Sequence, residues 1–125
     1  MAMGKEDKII EFDEPDYFQN VDYGTFSLSK EVLDKKSKYK SVIDMTSLDS
    51  FIKKYKINNI DFIKIDAEGM DMDVLLGAKI ALNKFKPSIL VEHSDNEVSI
   101  LDELRSELSK YNYSFEVHKN NLLAY

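Results

Sequence analysis

The segment IDFIKI, residues 60–65, constrains the fold more than any other part of the sequence because it is a strand-forming run that is apolar on both sides. Ile63 and Ile65 project to one side of such a strand, and Ile60 and Phe62 project to the other. Strands with two apolar faces are typical of parallel sheets that are covered by helices on both sides. We therefore predict that residues 60–65 form a doubly covered, parallel strand.

Strands and helices alternate along the chain around this segment. Further strands are predicted at SVIDM (41–45) and SILVE (88–92), and YSFEVH and NLLAY, joined by KNN, predict an antiparallel hairpin. Thr46 is the expected N-cap of the first helix, and Pro87 ends the second. Helical spacing of apolar residues predicts three helices, which contain Leu48, Phe51, Ile52 and Tyr55; Val74, Leu75, Ala78, Ala81, Leu82 and Phe85; and Val98, Leu101, Leu104, Leu108 and Tyr111. The pattern predicts an α/β fold, a βαβαβ unit closed by a hairpin.

Composition limits the classes of protein that remain. The 125 residues are 43% hydrophobic and contain no Pro/Gly/Ser-rich linker, which predicts a single domain with residues 1–40 as a lead-in and 41–125 as βαβαβ core and hairpin. The 17 basic residues are dispersed among 23 acidic ones, so we expect no nucleic-acid partner. The absence of cysteine excludes disulfides and thiolate chemistry. Neither a membrane span nor a signal peptide is recognisable, and a cytoplasmic location is expected.

Four acidic residues follow the strand at 60–65, namely Asp66, Glu68, Asp71 and Asp73. Asp71 and Asp73 fall in the first turn of the next helix, where the helix dipole accounts for negative side chains. Asp66 and Glu68 lie in the turn itself, beside a glycine that can adopt backbone conformations other residues resist. Ligands of doubly wound sheets bind beyond the carboxyl ends of the strands. The turns at 66–69 and 92–95 are therefore the candidate site.

Two other interpretations of the acidic turn fit its residues less well. A calcium loop requires glycine at its sixth position, whereas Gly69 is fourth counting from Asp66, and no metal site is predicted. An aspartyl-phosphate phosphatase would carry a second aspartate followed by Gly-Thr, where this chain has Glu68 and Met70. The phosphatase stays a weaker alternative on the residues alone.

Three segments in order resemble the FkbM-type S-adenosylmethionine-dependent methyltransferases. They are TSLDSF (46–51), IDFIKIDAEGMDMDVLLGA (60–78) and KPSILVEHS (86–94), and YGTFSL (23–28) is similar to a segment that often precedes them. Three such motifs in order on predicted elements are far more specific than one. The resemblance implies the C-terminal half of a Rossmann-like methyltransferase, a doubly wound sheet.

The same resemblance implies methyl transfer from S-adenosylmethionine to a hydroxyl of a sugar, polyketide or similar small-molecule or saccharide acceptor. It implies Asp66, and after it Glu68, as catalytic carboxylates. Gly69, Glu92 and His93 would form the edge of the substrate or cofactor site, although His93 is equally well explained as an ordinary loop histidine. His118 lies in the predicted hairpin, away from these strand ends, and is not a candidate for the site.

The sequence departs from the family in one respect that bears on the cofactor. The DxGAxxG-like loop is missing, because the chain's glycines are only Gly4, Gly24, Gly69 and Gly77. The chain is therefore expected to bind S-adenosylmethionine weakly or not at all. A non-catalytic, methyltransferase-like interaction domain is the alternative function.

The strand at 60–65 is expected to have an uncovered edge, because the family's neighbouring cofactor-binding strand is not found in the sequence. Either KIIEF or SVIDM folds back onto that edge, or two chains pair through Phe62 and Ile63 in a symmetric homodimer. Both candidate strands are short and one is highly charged, which favours the homodimer.

Overall fold

The computed structural model describes residues 1–13, 40–92 and 98–125, which form seven strands and four helices. The strands are Ala2–Gly4 (β1), Lys8–Asp13 (β2), Lys40–Ser47 (β3), Phe62–Ile65 (β4), Ser88–Glu92 (β5), Phe115–His118 (β6) and Asn121–Ala124 (β7). The helices are Leu48–Tyr55 (α1), Asp71–Leu76 (α2), the π-helical Ala81–Phe85 (α3) and Val98–Ser109 (α4). No helix in these ranges is long and apolar enough to cross a membrane.

A four-stranded sheet in the order β4-β5-β7-β6 carries the candidate site. β4 and β5 are parallel, with Ile63 opposite Ile89, and α2 and α3 lie between them along the chain. β7 pairs antiparallel with both β5 and β6. The predicted α/β fold, with a parallel crossover followed by an antiparallel hairpin, is confirmed.

A second, three-stranded sheet has the order β1-β3-β2. Residues 41–45 were expected to begin the βαβαβ unit, but β3 pairs instead with β2 in an antiparallel ladder that sets Ile10 opposite Ile43. β1 runs parallel to β3 on its other side. The alternative in which KIIEF or SVIDM covers the edge of β4 is wrong, because those two segments pair with each other. The homodimer through Phe62 and Ile63, which the sequence favoured, stays a prediction.

The core lies on one face of the four-stranded sheet. Buried side chains from the strands and helices form one cluster on that face, which includes Ile65, Ile89, Val91, Leu122, Leu75, Leu82, Leu104 and Leu108. On the opposite face Phe62 is 53% exposed. Among the described residues the prediction of a doubly covered strand is therefore wrong, because the helices that they form contribute to the same cluster.

Gly77 divides what the apolar spacing predicted as one helix into α2 and α3. The amide of Asp49 donates to the carbonyl oxygen of Gly77 at 2.9 Å. The carbonyl of Gly4 also approaches so closely that a Cβ on Gly77 would lie 2.1 Å from its oxygen. The end of β1 and the start of α1 thus both pack against this point, and the helix breaks there.

Ser47, and not the predicted Thr46, is the N-cap of α1. Its hydroxyl accepts from the amide of Ser50 at 3.1 Å, while Thr46 remains in β3 and donates its hydroxyl to Asp7. Asp7 also accepts from the amide of Ser47 at 2.8 Å, and this hydrogen bond, with those from the neighbouring hydroxyls, lowers the pKa of the Asp7 carboxyl. These contacts fix the first residues of α1, including Leu48, beside the carboxyl end of β4.

Candidate functional site

The turn after β4 has an unusual backbone. The amide of Met70 donates to the carbonyl of Ala67 at 3.0 Å, and the two residues between them, Glu68 and Gly69, have φ angles of 45° and 90°. Two central residues with positive φ make this a type I′ turn. Gly69 adopts the conformation without steric cost, as the sequence predicted, whereas a non-glycine residue such as Glu68 adopts it less readily. Strained positions of this kind occur frequently at functional sites.

Asp71 holds this turn closed. The residue is 8% exposed, and its Oδ1 accepts from the amide of Ala67 at 2.9 Å. Asp73 in the same helical turn is exposed. The prediction that both residues lie in the first turn of a helix is confirmed, and Asp71 additionally satisfies a backbone donor at the start of the candidate site.

We expect Asp71→Ala to destabilise the protein by about 1–3 kcal/mol, because it leaves the amide of Ala67 without its partner. Asp73→Ala is the matched control, since it removes an exposed carboxylate from the same helical turn and should change stability by less than about 0.5 kcal/mol. Urea denaturation of the two variants measures the difference. Equal losses would show that Asp71 acts only through the helix dipole.

Lys64 connects the carboxyl ends of the two parallel strands. Its Nζ lies 3.1 Å from Oδ2 of Asp66 and 3.1 Å from Oε2 of Glu92. Hydrogen bonds to Asp66 and then Glu92 raise the pKa of the Lys64 ammonium, so it stays charged. All three side chains are about half exposed, so solvent screening limits their contribution to stability. Their importance lies in holding two carboxylates around one cation.

Lys64 was not identified from the sequence, although a signal for it exists. Side chains alternate along a strand, so a residue two positions before Asp66 projects to the same face. The cross-strand register, with Lys64 opposite Leu90, places Glu92 beside Asp66. Once β4 and β5 are assumed to pair in parallel, the alternation of side chains along each strand therefore predicts that Lys64, Asp66 and Glu92 lie on the same face of the sheet.

A cavity of about 400 Å³ lies beside β4. Its walls are mainly apolar, and Lys64, Asp66 and Glu68 supply its charged groups. The lining also includes residues that are distant in sequence, namely Ala2, Met3, Leu48, Ile63, Ile65, Ala67, Met70 and Val74. The structure thus brings the two proposed catalytic carboxylates to one cavity.

The other candidate residues occupy different places. Gly69 lies in the turn between Glu68 and Met70, and Glu92 reaches the site through Lys64. His93 lies outside the described residues. His118 ends β6, at the other edge of the sheet from β4. The described ranges contain no group of three or more acidic or histidine side chains arranged to hold a metal ion.

Comparison with known families decides which group of proteins this arrangement belongs to. The methyltransferase FkbM domain matches residues 2–115. The chain belongs to the FkbM methyltransferase family. The match includes β1 to β5, the acidic turn and α4, so the family assignment made from the three sequence motifs is confirmed.

A solved structure supports the same assignment. This FkbM-family chain is similar to methyltransferase FkbM from Methylobacillus flagellatus KT, with 26% sequence identity and a TM-score of 0.53. The similarity covers 67% of this chain and 24% of the other chain. No curated protein matches the sequence. The chain therefore corresponds to about a quarter of that longer methyltransferase.

The residues that line the cavity suit one end of S-adenosylmethionine better than the other. Carboxylates such as Asp66 and Glu68 complement the positive charge of its sulfonium and amino groups. Its carboxylate end requires backbone amide donors of the kind found in glycine-rich turns. The described lining offers the ammonium of Lys64 as its only cationic group, and that ammonium is shared between Asp66 and Glu92.

Proposed function

We propose that this chain forms the acceptor side of an S-adenosylmethionine-dependent O-methyltransferase site, in which Asp66 accepts the proton of the acceptor hydroxyl. The observation that carries the proposal is the position of Asp66, which directly follows the parallel strand β4, lines the cavity and is held by Lys64. Membership of a methyltransferase family supports the chemistry. Substrates of open α/β sheets bind at this end of the strands.

The residues of this chain have distinct roles in the proposed reaction. S-adenosylmethionine, when bound, supplies the electrophilic methyl group. The carboxylate of Asp66 accepts a hydrogen bond from the acceptor hydroxyl, orients its oxygen, and takes its proton as the oxygen becomes nucleophilic. Lys64 fixes the orientation of that carboxylate and, because it remains an ammonium, holds Glu92 beside it.

Glu68 is the second proposed catalytic carboxylate. It lines the same cavity as Asp66 and is held in a left-handed backbone conformation, with Gly69 completing the turn. A carboxylate at this place complements the positive charge of the sulfonium. Glu92 and His93 are proposed at the edge of the substrate or cofactor site, Glu92 through its contact with Lys64.

The proposed acceptor is a small molecule or a saccharide that presents a free hydroxyl. A cavity with apolar walls and a few charged groups at one end suits an acceptor that is partly apolar and partly hydroxylated. A cytoplasmic location and the absence of a nucleic-acid partner remain predictions from composition.

A non-catalytic interaction domain is the second candidate function. The observation that favours it is the lining of the described cavity, in which the one cationic group, Lys64, is already shared between Asp66 and Glu92. Such a domain would keep the fold of the family and lose the transfer of a methyl group. Measuring transfer of labelled methyl from S-adenosylmethionine to a panel of hydroxylated acceptors separates the two functions.

We expect the isolated 125-residue chain to bind S-adenosylmethionine weakly or not at all. The reason is that a glycine-rich turn, whose backbone amides would hold the carboxylate end of the cofactor, is not found in the sequence, and that Lys64, the one cationic group of the described lining, is shared between two carboxylates. Isothermal titration calorimetry of the purified chain measures the affinity, and binding in the micromolar range would contradict this prediction.

A further inference from the structure

The fold collects five lysines at the end of β4 and β5 that lies opposite the candidate site. α1 ends shortly before β4 begins, and α3 ends two residues before β5 begins. Because Phe62 pairs with Ser88, both helices end at the amino end of the parallel pair, and they also pack against each other. We call the surface formed there the lysine end, and its residues are Lys53, Lys54, Tyr55, Lys56, Lys84 and Lys86.

The positive charge of the lysine end is not neutralised by the described part of the chain. Residues 50–60 and 74–91, which form it, contain no aspartate or glutamate. Among the described side chains no carboxylate lies within ion-pair distance of its five exposed lysines, and Lys86 donates to the uncharged backbone carbonyl of Tyr111. A chain with a net charge of −6 therefore has one strongly basic surface.

The neighbouring carboxylates have other partners. Asp49, at the start of α1, accepts from the amide of Ile80 at 2.8 Å. Asp61 accepts from the side-chain amide of Asn59 at 2.7 Å. The carboxylates of the candidate site follow the opposite ends of β4 and β5, more than about 10 Å away along the strands. That distance exceeds the Debye length of about 8 Å at physiological ionic strength, so solvent ions screen them from the lysine end.

Two of the lysines occupy backbone positions that favour glycine. Lys56 ends α1 and Lys86 ends α3, and both have a left-handed conformation with φ of 53°. Glycine is the usual residue at such a helix end, because a Cβ is unfavourable there. The helix dipole accounts for lysines within the last turn, such as Lys53 and Lys84, but it does not require lysine in a left-handed position.

The exposed aromatic ring of the lysine end narrows the kind of partner. Tyr55 is 55% exposed between two lysines, and its ring lies against Phe51 with 4.5 Å between centroids. Tyrosine and lysine both join an apolar body to a polar tip, which suits the level of the headgroups in a membrane. Lysine is also a flexible point charge, whereas arginine recognises a single phosphate group with fixed geometry. The combination fits a broad anionic surface.

We propose that the lysine end docks on a membrane surface that contains anionic phospholipids, with its lysines beside the headgroups and Tyr55 in the interface. Each lysine near such a surface strengthens binding several-fold, and a polybasic segment on a helix surface is a recognised way to bind it. Docking at this end leaves the cavity at the opposite end of β4 accessible to its ligands. The inference does not depend on the proposed methyl transfer.

Cosedimentation of the 125-residue chain with phospholipid vesicles tests the proposal. We expect binding to vesicles that contain phosphatidylserine and none to vesicles of phosphatidylcholine alone. Lys53→Gln combined with Lys54→Gln should weaken binding by roughly tenfold or more. Lys8→Gln combined with Lys119→Gln is the matched control, because it changes the net charge equally outside the lysine end, and binding should stay within about twofold.

Lys56→Gly separates loss of charge from loss of folding. Glycine suits the left-handed backbone better than lysine does, so this variant should unfold at the same temperature as the unchanged chain or a higher one. It should nevertheless bind phosphatidylserine vesicles several-fold more weakly. Thermal denaturation and cosedimentation of the same sample measure both effects.

Tyr55→Trp reports whether the lysine end itself meets the membrane, because the chain contains no other tryptophan. Its emission should shift to shorter wavelength with phosphatidylserine vesicles only. The proposal is overturned if these vesicles are not bound, if the two double variants lose binding equally, or if the emission does not shift on binding. Binding of soluble polyglutamate in place of vesicles would overturn it as well and assign the lysine end to an acidic polypeptide.

Discussion

Replacing Asp66 with asparagine should lower the rate of methyl transfer by roughly 10²-fold or more, in a protein that contains this site together with a cofactor-binding loop. Asparagine keeps the size and one carbonyl oxygen of the side chain but cannot take a proton from the acceptor hydroxyl. The fold should be unaffected, because Asp66 is exposed and its contact with Lys64 is screened by solvent. Initial rates at saturating cofactor, with circular dichroism as a check of folding, measure the effect.

Glu68→Gln is the matched control for this substitution, because Glu68 lines the same cavity and is also exposed. We expect it to lower the rate less than Asp66→Asn does. An unchanged rate in Asp66→Asn would contradict the proposed role of Asp66 as a proton acceptor. A larger loss in Glu68→Gln would exchange the roles of the two carboxylates.

Gly77→Ala should destabilise the protein by about 3 kcal/mol or more. The added Cβ would lie 2.1 Å from the carbonyl oxygen of Gly4 and 3.2 Å from the Cα of Lys5, so it meets backbone atoms that cannot rotate away. The hydrogen bond from the amide of Asp49 to Gly77 holds the helix break from its other side. Relief of the clash therefore requires β1 to move away from α2.

Gly4→Ala is the matched control, because it adds a Cβ to the other glycine of the close contact between Gly4 and Gly77. A Cβ on Gly4 would lie 2.4 Å from Sδ of Met45, which belongs to a flexible side chain that can change rotamer. Thermal or urea denaturation should therefore show a clearly smaller loss for Gly4→Ala than for Gly77→Ala. Equal losses would show that the approach of the two backbones does not limit stability.

The sequence predicted those elements whose signals are local. β4 and β5 carry dense apolar runs, the hairpin carries an asparagine-containing turn, and the acidic turn places Gly69 where a positive φ is needed. These features follow from the spacing of apolar side chains and from the residue types preferred in turns, both of which are visible within a few residues. They were sufficient for the fold class and for the position of Asp66.

The remaining features depend on partners that are distant in sequence. The pairing of β3 with β1 and β2, and the break at Gly77, arise from contacts across more than 25 residues that leave no local pattern. The exposure of Phe62 depends on which side of the sheet the helices cover. The hydrogen bond from the amide of Ala67 to the carboxylate of Asp71 likewise could not be predicted, because it depends on the folded geometry of the turn.

We propose that the carboxyl end of β4 forms one side of the cofactor and acceptor site. Chemical-shift mapping of the isotope-labelled chain with millimolar S-adenosylmethionine tests it most directly, because NMR detects binding too weak for calorimetry. We predict that the perturbed amides centre on Asp66, Glu68 and Gly69 and extend to other residues that line the cavity beside β4, such as Ala67 and Met70. Perturbations centred elsewhere, such as on the amides of α4, would contradict this location of the site.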